Sequence, residues 1–178
     1  MEKPASAGCN GMKVFPRTVV APRPGCASPR LEVLAVRSIE QVEAEMSNAE
    51  ERGLVVRPSR FGHGETLRLL TAAIAHHGAT LFAVIDHAAN AAEVDLELPP
   101  TAVVIFGNPA VGTPLMRGEP DLALDLPSRV LVREDATGMV EVVYLDPARL
   151  AERHGLESNQ VKGLVGLTAI VDEALGSR

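Results

Sequence analysis

The stretch TAVVIFGNPAVGTPLMRGEPDLALD, residues 101–125, decides the fold, because a strand signal passes directly into a dense series of helix-start signals. The apolar residues from Ala102 to Phe106 are typical of a buried strand. Gly107 follows, and then three pairs each join an N-cap-type or acidic residue to a proline: Asn108–Pro109, Thr113–Pro114 and Glu119–Pro120. The stretch therefore predicts a buried strand that ends in a staircase of short helical turns.

The same segment suggests a ligand site. Gly107 and Gly112 allow a ligand to approach the backbone closely, and successive helix N-termini point free N–H groups outward, which suits a carboxylate or a phosphate. The predicted ligand-binding residues are Gly107, Asn108, Gly112, Thr113 and Arg117. The segment is not a phosphate-binding P-loop, because it lacks GK[ST] and no long helix follows its glycines. A competing interpretation keeps the staircase of turns without any ligand.

Hydrophobic spacing predicts further elements on both sides of this strand. Upstream, the chain predicts a strand at 54–57, a helix around 67–74 that Gly78 stops, a strand at 79–87 and an alanine-rich turn at 88–92. Downstream, it predicts a hairpin of strands 129–134 and 139–145, a short helix from Asp146 to Gly155, and a last helix capped by Ser158. The order β-α-β-β-β-β-α predicts an α+β fold, with a mostly antiparallel five-stranded sheet and helices on one face.

Several of these strands are apolar on both faces. They lie at 81–85, 103–106 and 142–145, whereas an antiparallel sheet with one wet face should alternate apolar and polar residues. No further long helix is predicted that could cover the second face. We therefore expect a second copy to cover it, in a symmetric homodimer through one sheet face.

Composition excludes several classes of function. A net charge of −6, no Trp and no block of Lys and Arg in the body argue against nucleic-acid binding. No apolar run reaches the roughly 18 residues that span a bilayer, and the N-terminus lacks the apolar segment of a secretory signal, so we expect a cytoplasmic protein without membrane contact. Both cysteines, Cys9 and Cys26, precede the predicted domain, which excludes thiol chemistry there.

The chain divides into three regions by composition. Residues 1–37 are rich in Pro and Gly and predict a disordered tail, 38–52 predict an acidic helix, and 53–178 form a single α+β domain. The coherent domain begins soon after Met46. This suggests the hypothesis that Met46, rather than Met1, is the natural start of the protein.

Asp86 and His87 are the candidate catalytic residues. Histidine exchanges protons near neutral pH, and a nearby carboxylate can orient it. Neighbours on a strand point to opposite faces, so the pair can act together only if the backbone turns there. The alternative is that both residues are polar strand-end groups that cap the alanine-rich turn.

The remaining histidines do not predict a metal site. His76 and His77 are adjacent and project about 100° apart on a helix, and no pair of histidines is spaced i, i+4. A position near a helix C-terminus, where a cationic imidazole suits the dipole, explains these two and His154. We expect no metal and no cofactor.

Five segments together resemble the bacterial domain-of-unknown-function family 302: ETLRLL, LFAVIDHAANA, LPPTAVVIFGNPAVGTPLM, DLALDLPSRVLV and VVYLDPARLAERHGL. The match covers residues 54–175. The resemblance implies a small dimeric α+β domain of the TATA-binding-protein-like fold class. It carries no established activity. The family motif falls on Asp86, His87, Asn90, 106–109 and 112–116, without assigned roles.

Three functional hypotheses follow. The first is a dimeric domain that binds a small polar or anionic ligand near FGNPAVGTP, with His87 as a further contact. The second is an enzyme that uses His87 as general acid or base. The third is a purely structural dimerisation module without a concave site.

Overall fold

In the computed structural model, residues 48–176 are described, and they form an α+β fold around one antiparallel sheet. The strands are β1 (Leu54–Ser59), β2 (Thr80–Asp86), β3 (Thr101–Gly107), β4 (Ser128–Glu134) and β5 (Val140–Leu145). The helices are α1 (His63–His76), α2 (His87–Ala92), α3 (Pro109–Gly118), α4 (Pro147–Arg153) and α5 (Ser158–Leu175), with a 3₁₀ turn at Pro120–Leu124. The predicted fold class is confirmed.

Part of the predicted domain organisation lies outside the described residues. This applies to the tail at 1–37, the hypothetical start at Met46 and most of the acidic helix at 38–52, of which residues 48–51 are helical.

The five strands are ordered β1-β5-β4-β3-β2, and every neighbouring pair is antiparallel. The predicted hairpin joins β4 and β5 through a turn in which Gly138 has a φ of +81°, a conformation that favours glycine. Because β2 and β3 are antiparallel, Gly107 at the end of β3 lies opposite Thr80 at the start of β2. This pairing brings the exit of β3 next to the end of α1.

The main core lies between one face of the sheet and helices α1 and α5. Val104 and Phe106 of β3 point to this face with Val130 and Val132 of β4, and all four are buried. The helices contribute a matching set of buried side chains: Leu70, Ala73, Ile74, Leu167, Ile170, Val171, Ala174 and Leu175. The prediction that two long helices cover one face is confirmed.

A second cluster of buried side chains packs α3 and the 3₁₀ turn against the end of the sheet. Leu115 of α3, Leu122 of the 3₁₀ turn, Leu150 of α4 and Leu164 of α5 are buried together. Beside it, His154 Nε2 lies 2.8 Å from Asp125 Oδ2, and the two side chains are only 8 % and 10 % exposed. This polar pair joins the end of the 3₁₀ turn to the end of α4.

Strand β2 does not match its prediction. All of its residues are exposed in the single chain, whereas apolar residues on both faces predicted a strand buried on both sides. The reason is that β2 ends the sheet order. An apolar pattern on both faces does not distinguish a central strand from an edge strand.

Three local boundaries also differ from the predictions. Glu157 rather than Ser158 caps α5, and its backbone N–H donates to Gln160 Oε1 at 2.8 Å. Strand β1 continues through Pro58, which an edge strand tolerates because it needs fewer backbone donors. Pro114 lies inside α3, so Thr113–Pro114 does not start a separate turn.

Candidate functional site

A cavity of about 460 Å³ opens where β3 passes into α3. Apolar side chains form most of its wall, including Phe82 of β2, Phe106 of β3, Met116 of α3 and Leu167 of α5. The polar groups of the lining are few: His77, Asn108, Thr113 and Ser128. The cavity therefore suits a molecule with an apolar body and little charge.

Four of the five predicted ligand-binding residues lie in this wall: Gly107, Asn108, Gly112 and Thr113. Gly107 packs closely in the wall, because a Cβ there would lie 3.4 Å from both the Phe82 ring and Pro127 Cβ. Gly112 has more room, since its Cβ would lie 3.6 Å from Leu126 Cδ1. Arg117 lies in the last turn of α3 and is not part of the lining.

The backbone donors at the start of α3 are already used. Asn108 Oδ1 accepts from Ala110 N–H at 2.9 Å, and the Asn108 carbonyl accepts from the N–H groups of Val111 and Gly112 at 3.0 and 2.9 Å. Pro109 has no N–H to offer. The backbone donors of this helix start are therefore satisfied within the turn itself.

His77 and Phe82 line the cavity although the sequence analysis did not place them there. His77 is the C-cap of α1, and Phe82 lies at an irregularity in the pairing of β2 with β3. The antiparallel pairing of these two strands is the signal that could have found them. It brings the residues just before β2 to the residues just after β3.

The His77 side chain also takes part in a small polar cluster with a second histidine. His77 Nε2 lies 3.0 Å from Glu173 Oε2, and His76 Nδ1 lies 2.9 Å from Glu173 Oε1. Desolvation raises the pKa of Glu173, but the hydrogen bonds and charges of His76 and His77 outweigh it and hold this pKa below its ordinary value. The carboxylate form of Glu173 is therefore favoured.

Asp86 and His87 lie away from the cavity. Asp86 caps α2, and its Oδ1 accepts from Ala89 N–H at 2.9 Å, while His87 is the exposed first residue of that helix. Asp86 pairs with Ala102, five positions along β3 from Gly107, which corresponds to about 17 Å. The geometry agrees with the interpretation that this pair caps the alanine-rich turn, and it does not join His87 to the cavity.

Residues 55–174 match the family model described as "Domain of unknown function DUF302". The chain belongs to the DUF302 family. A solved DUF302 structure, the crystal structure of an uncharacterized conserved protein from Bacillus stearothermophilus, is similar with a TM-score of 0.60 at 13 % identity. The match covers 70 % of this chain and 97 % of that chain. At this identity the similarity concerns the fold alone.

The DUF302 chain is also similar to part of two curated proteins from Brucella. It is 42 % identical over 129 residues to the "Fluoride-specific ion channel FluC 1" of Brucella suis biovar 1 (strain 1330), covering 71 % of this chain and 51 % of that protein. The identity is again 42 % over 129 residues for FluC 1 of Brucella abortus biovar 1 (strain 9-941), with 71 % and 48 % covered. The chain thus spans about half the length of these relatives. Between residues 48 and 176, no helix is long and apolar enough to cross a membrane.

Proposed function

We propose that this DUF302 domain is a dimeric binding domain that takes a small, largely apolar molecule into the cavity at the exit of β3. The cavity carries the proposal. Its volume of about 460 Å³ falls within the range of about 300–1,000 Å³ that is usual for small-molecule sites. Its few polar groups, including Asn108, Thr113 and Ser128, would orient one polar end of the ligand.

The ligand is proposed to be neutral or weakly polar at that end. An anion would need free backbone donors or a cationic side chain in the wall. The donors at the start of α3 are satisfied by Asn108, and Arg117 is absent from the lining. His77, the ionisable side chain of the wall, already lies 3.0 Å from the Glu173 carboxylate. The apolar walls would instead bind an aliphatic or aromatic body through the hydrophobic effect.

The partner of the domain is proposed to be a second copy that pairs along the β2 edge rather than on the open sheet face. On that face Val143 is only 7 % exposed, and Val103, Ile105 and Leu131 are half-buried. In β2, by contrast, Leu81, Phe82, Val84 and Ile85 are 39 %, 52 %, 47 % and 37 % exposed. Among the described strands, the exposed large apolar side chains are therefore those of β2.

The β2 sequence, TLFAVID, is also complementary to itself. If Ala83 pairs with Ala83 of a second copy, antiparallel pairing sets Leu81 opposite Ile85, Phe82 opposite Val84, and Thr80 opposite Asp86. Apolar residues then meet apolar residues, and the polar residues meet at the two ends. Such a pairing would continue the sheet across a two-fold axis.

Titration calorimetry with 1-decanol and decanoate tests the binding function. Gly166 lines the cavity, and a Cβ there meets nothing within 4 Å, so Gly166→Phe adds a bulky side chain at the lining from a position where its Cβ has room. Gly64→Phe is the matched control, because Gly64 is also an exposed helical glycine with open space but does not line the cavity.

We expect 1-decanol to bind with a negative heat-capacity change, which marks apolar burial, and to bind more tightly than decanoate. Gly166→Phe should weaken this binding by about tenfold or more, and Gly64→Phe should leave it unchanged. Equal affinities for all three proteins, or no binding of either probe, would overturn the proposal. Tighter binding of decanoate than of 1-decanol would instead favour the hypothesis of an anionic ligand.

The enzyme hypothesis has less support. His87 is exposed and Asp86 is engaged with the backbone of α2. His87→Ala should therefore leave the binding of 1-decanol and decanoate unchanged. An enzymatic activity that the wild-type chain has and this variant lacks would support the enzyme hypothesis instead.

The similarity to the Brucella proteins favours a second candidate function, a role in the handling of fluoride. The test is growth of a fluoride-sensitive bacterial strain that expresses the full chain, over a series of sodium fluoride concentrations. A rise in the tolerated concentration, absent with the empty vector, would support this function. No rise would remove it.

A further inference from the structure

Three side chains that commonly ligate metals meet where the end of α1 lies beside α5, and one of them, His77, also lines the cavity. His76 is the last residue of α1, His77 is its C-cap, and Glu173 lies near the end of α5. One ligand atom from each lies within 4.8 Å of the other two. The histidine–carboxylate distances are already 2.9 Å for His76 and 3.0 Å for His77.

The end of α1 makes this convergence possible. On a continuing helix, the two adjacent histidines would project about 100° apart. His77 instead leaves the helix, with φ −79° and ψ 7°, and the chain turns at Gly78, whose φ is +68°. The two rings are 5.6 Å apart at an angle of 77°, and both nitrogens face the carboxylate of the neighbouring helix.

We propose that His76, His77 and Glu173 bind one divalent transition-metal ion, of which Zn²⁺ is the reference. Imidazole nitrogen and carboxylate oxygen suit Zn²⁺, Co²⁺ and Ni²⁺ better than Mg²⁺ or Ca²⁺. Tetrahedral coordination with bonds of about 2.0–2.2 Å separates neighbouring ligand atoms by roughly 3.3 Å. Glu173 Oε2 lies 3.0 Å from both His76 Nδ1 and His77 Nε2, which is close to this value.

The cluster is open to an incoming ion. The side chains of His76, His77 and Glu173 are 74 %, 32 % and 43 % exposed, so an ion can enter without unfolding either helix. Two histidines and one glutamate are the ligand set of catalytic zinc sites that keep a fourth position open.

The fourth coordination position would lie near the cavity, because His77 belongs both to the cluster and to the cavity wall. A hydroxyl or carbonyl oxygen of a molecule in the cavity could therefore complete the coordination. This last step rests on the proposed binding function, whereas binding of the ion itself does not.

The test uses the full chain without a histidine tag and with Cys9→Ser and Cys26→Ser, so that thiols do not compete for the metal. Zn²⁺ affinity is measured by competition with a chromogenic chelator, and the coordination of Co²⁺ by its visible absorption. The variants are His76→Ala, His77→Ala and Glu173→Gln. His87→Ala is the control because it removes an exposed histidine outside the cluster.

We expect one Zn²⁺ per chain and a tetrahedral Co²⁺ spectrum. Groups that only orient a metal ligand already contribute about 10–100-fold to affinity, so each cluster variant should weaken Zn²⁺ binding at least tenfold, with unchanged circular dichroism. His87→Ala should bind as the parent does. Equal binding by the parent and the three variants, or no binding by the parent, would overturn the proposal. The metal-binding test contains no cavity ligand. A failure to bind Zn²⁺ would therefore leave the interpretation of the 1-decanol experiment unchanged.

Discussion

The two edge strands of the sheet, β1 and β2, differ in their burial and in the residues that discourage pairing with another strand. At the β1 edge, Leu54, Val55 and Val56 are half-buried, Pro58 offers no backbone donor, and Arg57 forms a 2.7 Å ion pair with Asp172 of α5. At the β2 edge every residue is exposed, and TLFAVID contains no proline and no basic residue. Natural edge strands are usually blunted by such residues. The comparison supports the proposal that the β2 edge, rather than the β1 edge, pairs with a second copy.

Val84→Lys should have the largest effect of the variants, because it disrupts the proposed dimer interface at the β2 edge. Val84 is 47 % exposed on β2, so a lysine there leaves the monomer folded but places two charges in the proposed interface, one from each copy. Because Val84 is already about half covered, the two lost apolar contacts cost about 1 kcal/mol each, so the dissociation constant of the dimer should rise by about tenfold or more. Sedimentation velocity over a concentration series measures it.

Met139→Lys is the matched control on the other side of the sheet. Met139 is 52 % exposed and directly precedes β5, whose first residue pairs with the end of β1. The dimer should persist in this variant. A wild-type monomer at all concentrations, or equal weakening by both lysines, would contradict the assignment of the interface to β2.

Arg57→Ala should sharpen the comparison with a smaller effect. The Arg57–Asp172 pair joins β1 to α5, but both side chains are about one-third exposed, at 31 % and 36 %. Its removal should lower the free energy of unfolding by about 0.5–1 kcal/mol, without any change in assembly. Urea unfolding and sedimentation of the same sample measure the two quantities. A loss of dimer would show that the β1 edge also takes part in assembly.

Glu65→Gln should have the smallest effect on stability. It removes the exposed Glu65–Arg68 ion pair, which belongs to neither edge of the sheet, and so serves as a reference for Arg57→Ala. The hydrogen bond from Arg68 lowers the pKa of Glu65, and this outweighs the opposing desolvation. The carboxylate therefore contributes stability that is fully present above its ordinary pKa of 4.5 and is lost as the pH falls through the lower folded value. Urea midpoints of wild type and variant should differ slightly at neutral pH and converge in acid. A difference that grows in acid would contradict the sign.

The elements that depend on local pattern were predictable from the sequence. Asn108–Pro109 and Asp146–Pro147 do start α3 and α4, and the apolar run of residues 102–106 is the strand that leads to the cavity. Four of the five predicted ligand-binding residues lie together because they are close in the chain, at the end of β3 and the start of α3.

The features that depend on strand order were not predictable in this way. Nothing in TLFAVID states that β2 lies at an edge, since central and edge strands can carry the same residues. The distance between His87 and the cavity follows from the direction of β2 against β3. The cluster of His76 and His77 with Glu173 depends on how α1 and α5 pack, which pairs residues nearly one hundred positions apart.

Phe82 belongs to both proposed sites, since its ring lines the cavity and its strand is the open edge. A second copy on β2 would change the wall that a cavity ligand meets. By thermodynamic linkage, a ligand whose affinity rises on dimerisation must strengthen the dimer by the same factor. The occupancy of the cavity would then depend on the concentration of the protein itself, and a dilute and a concentrated sample would report different affinities for the same molecule.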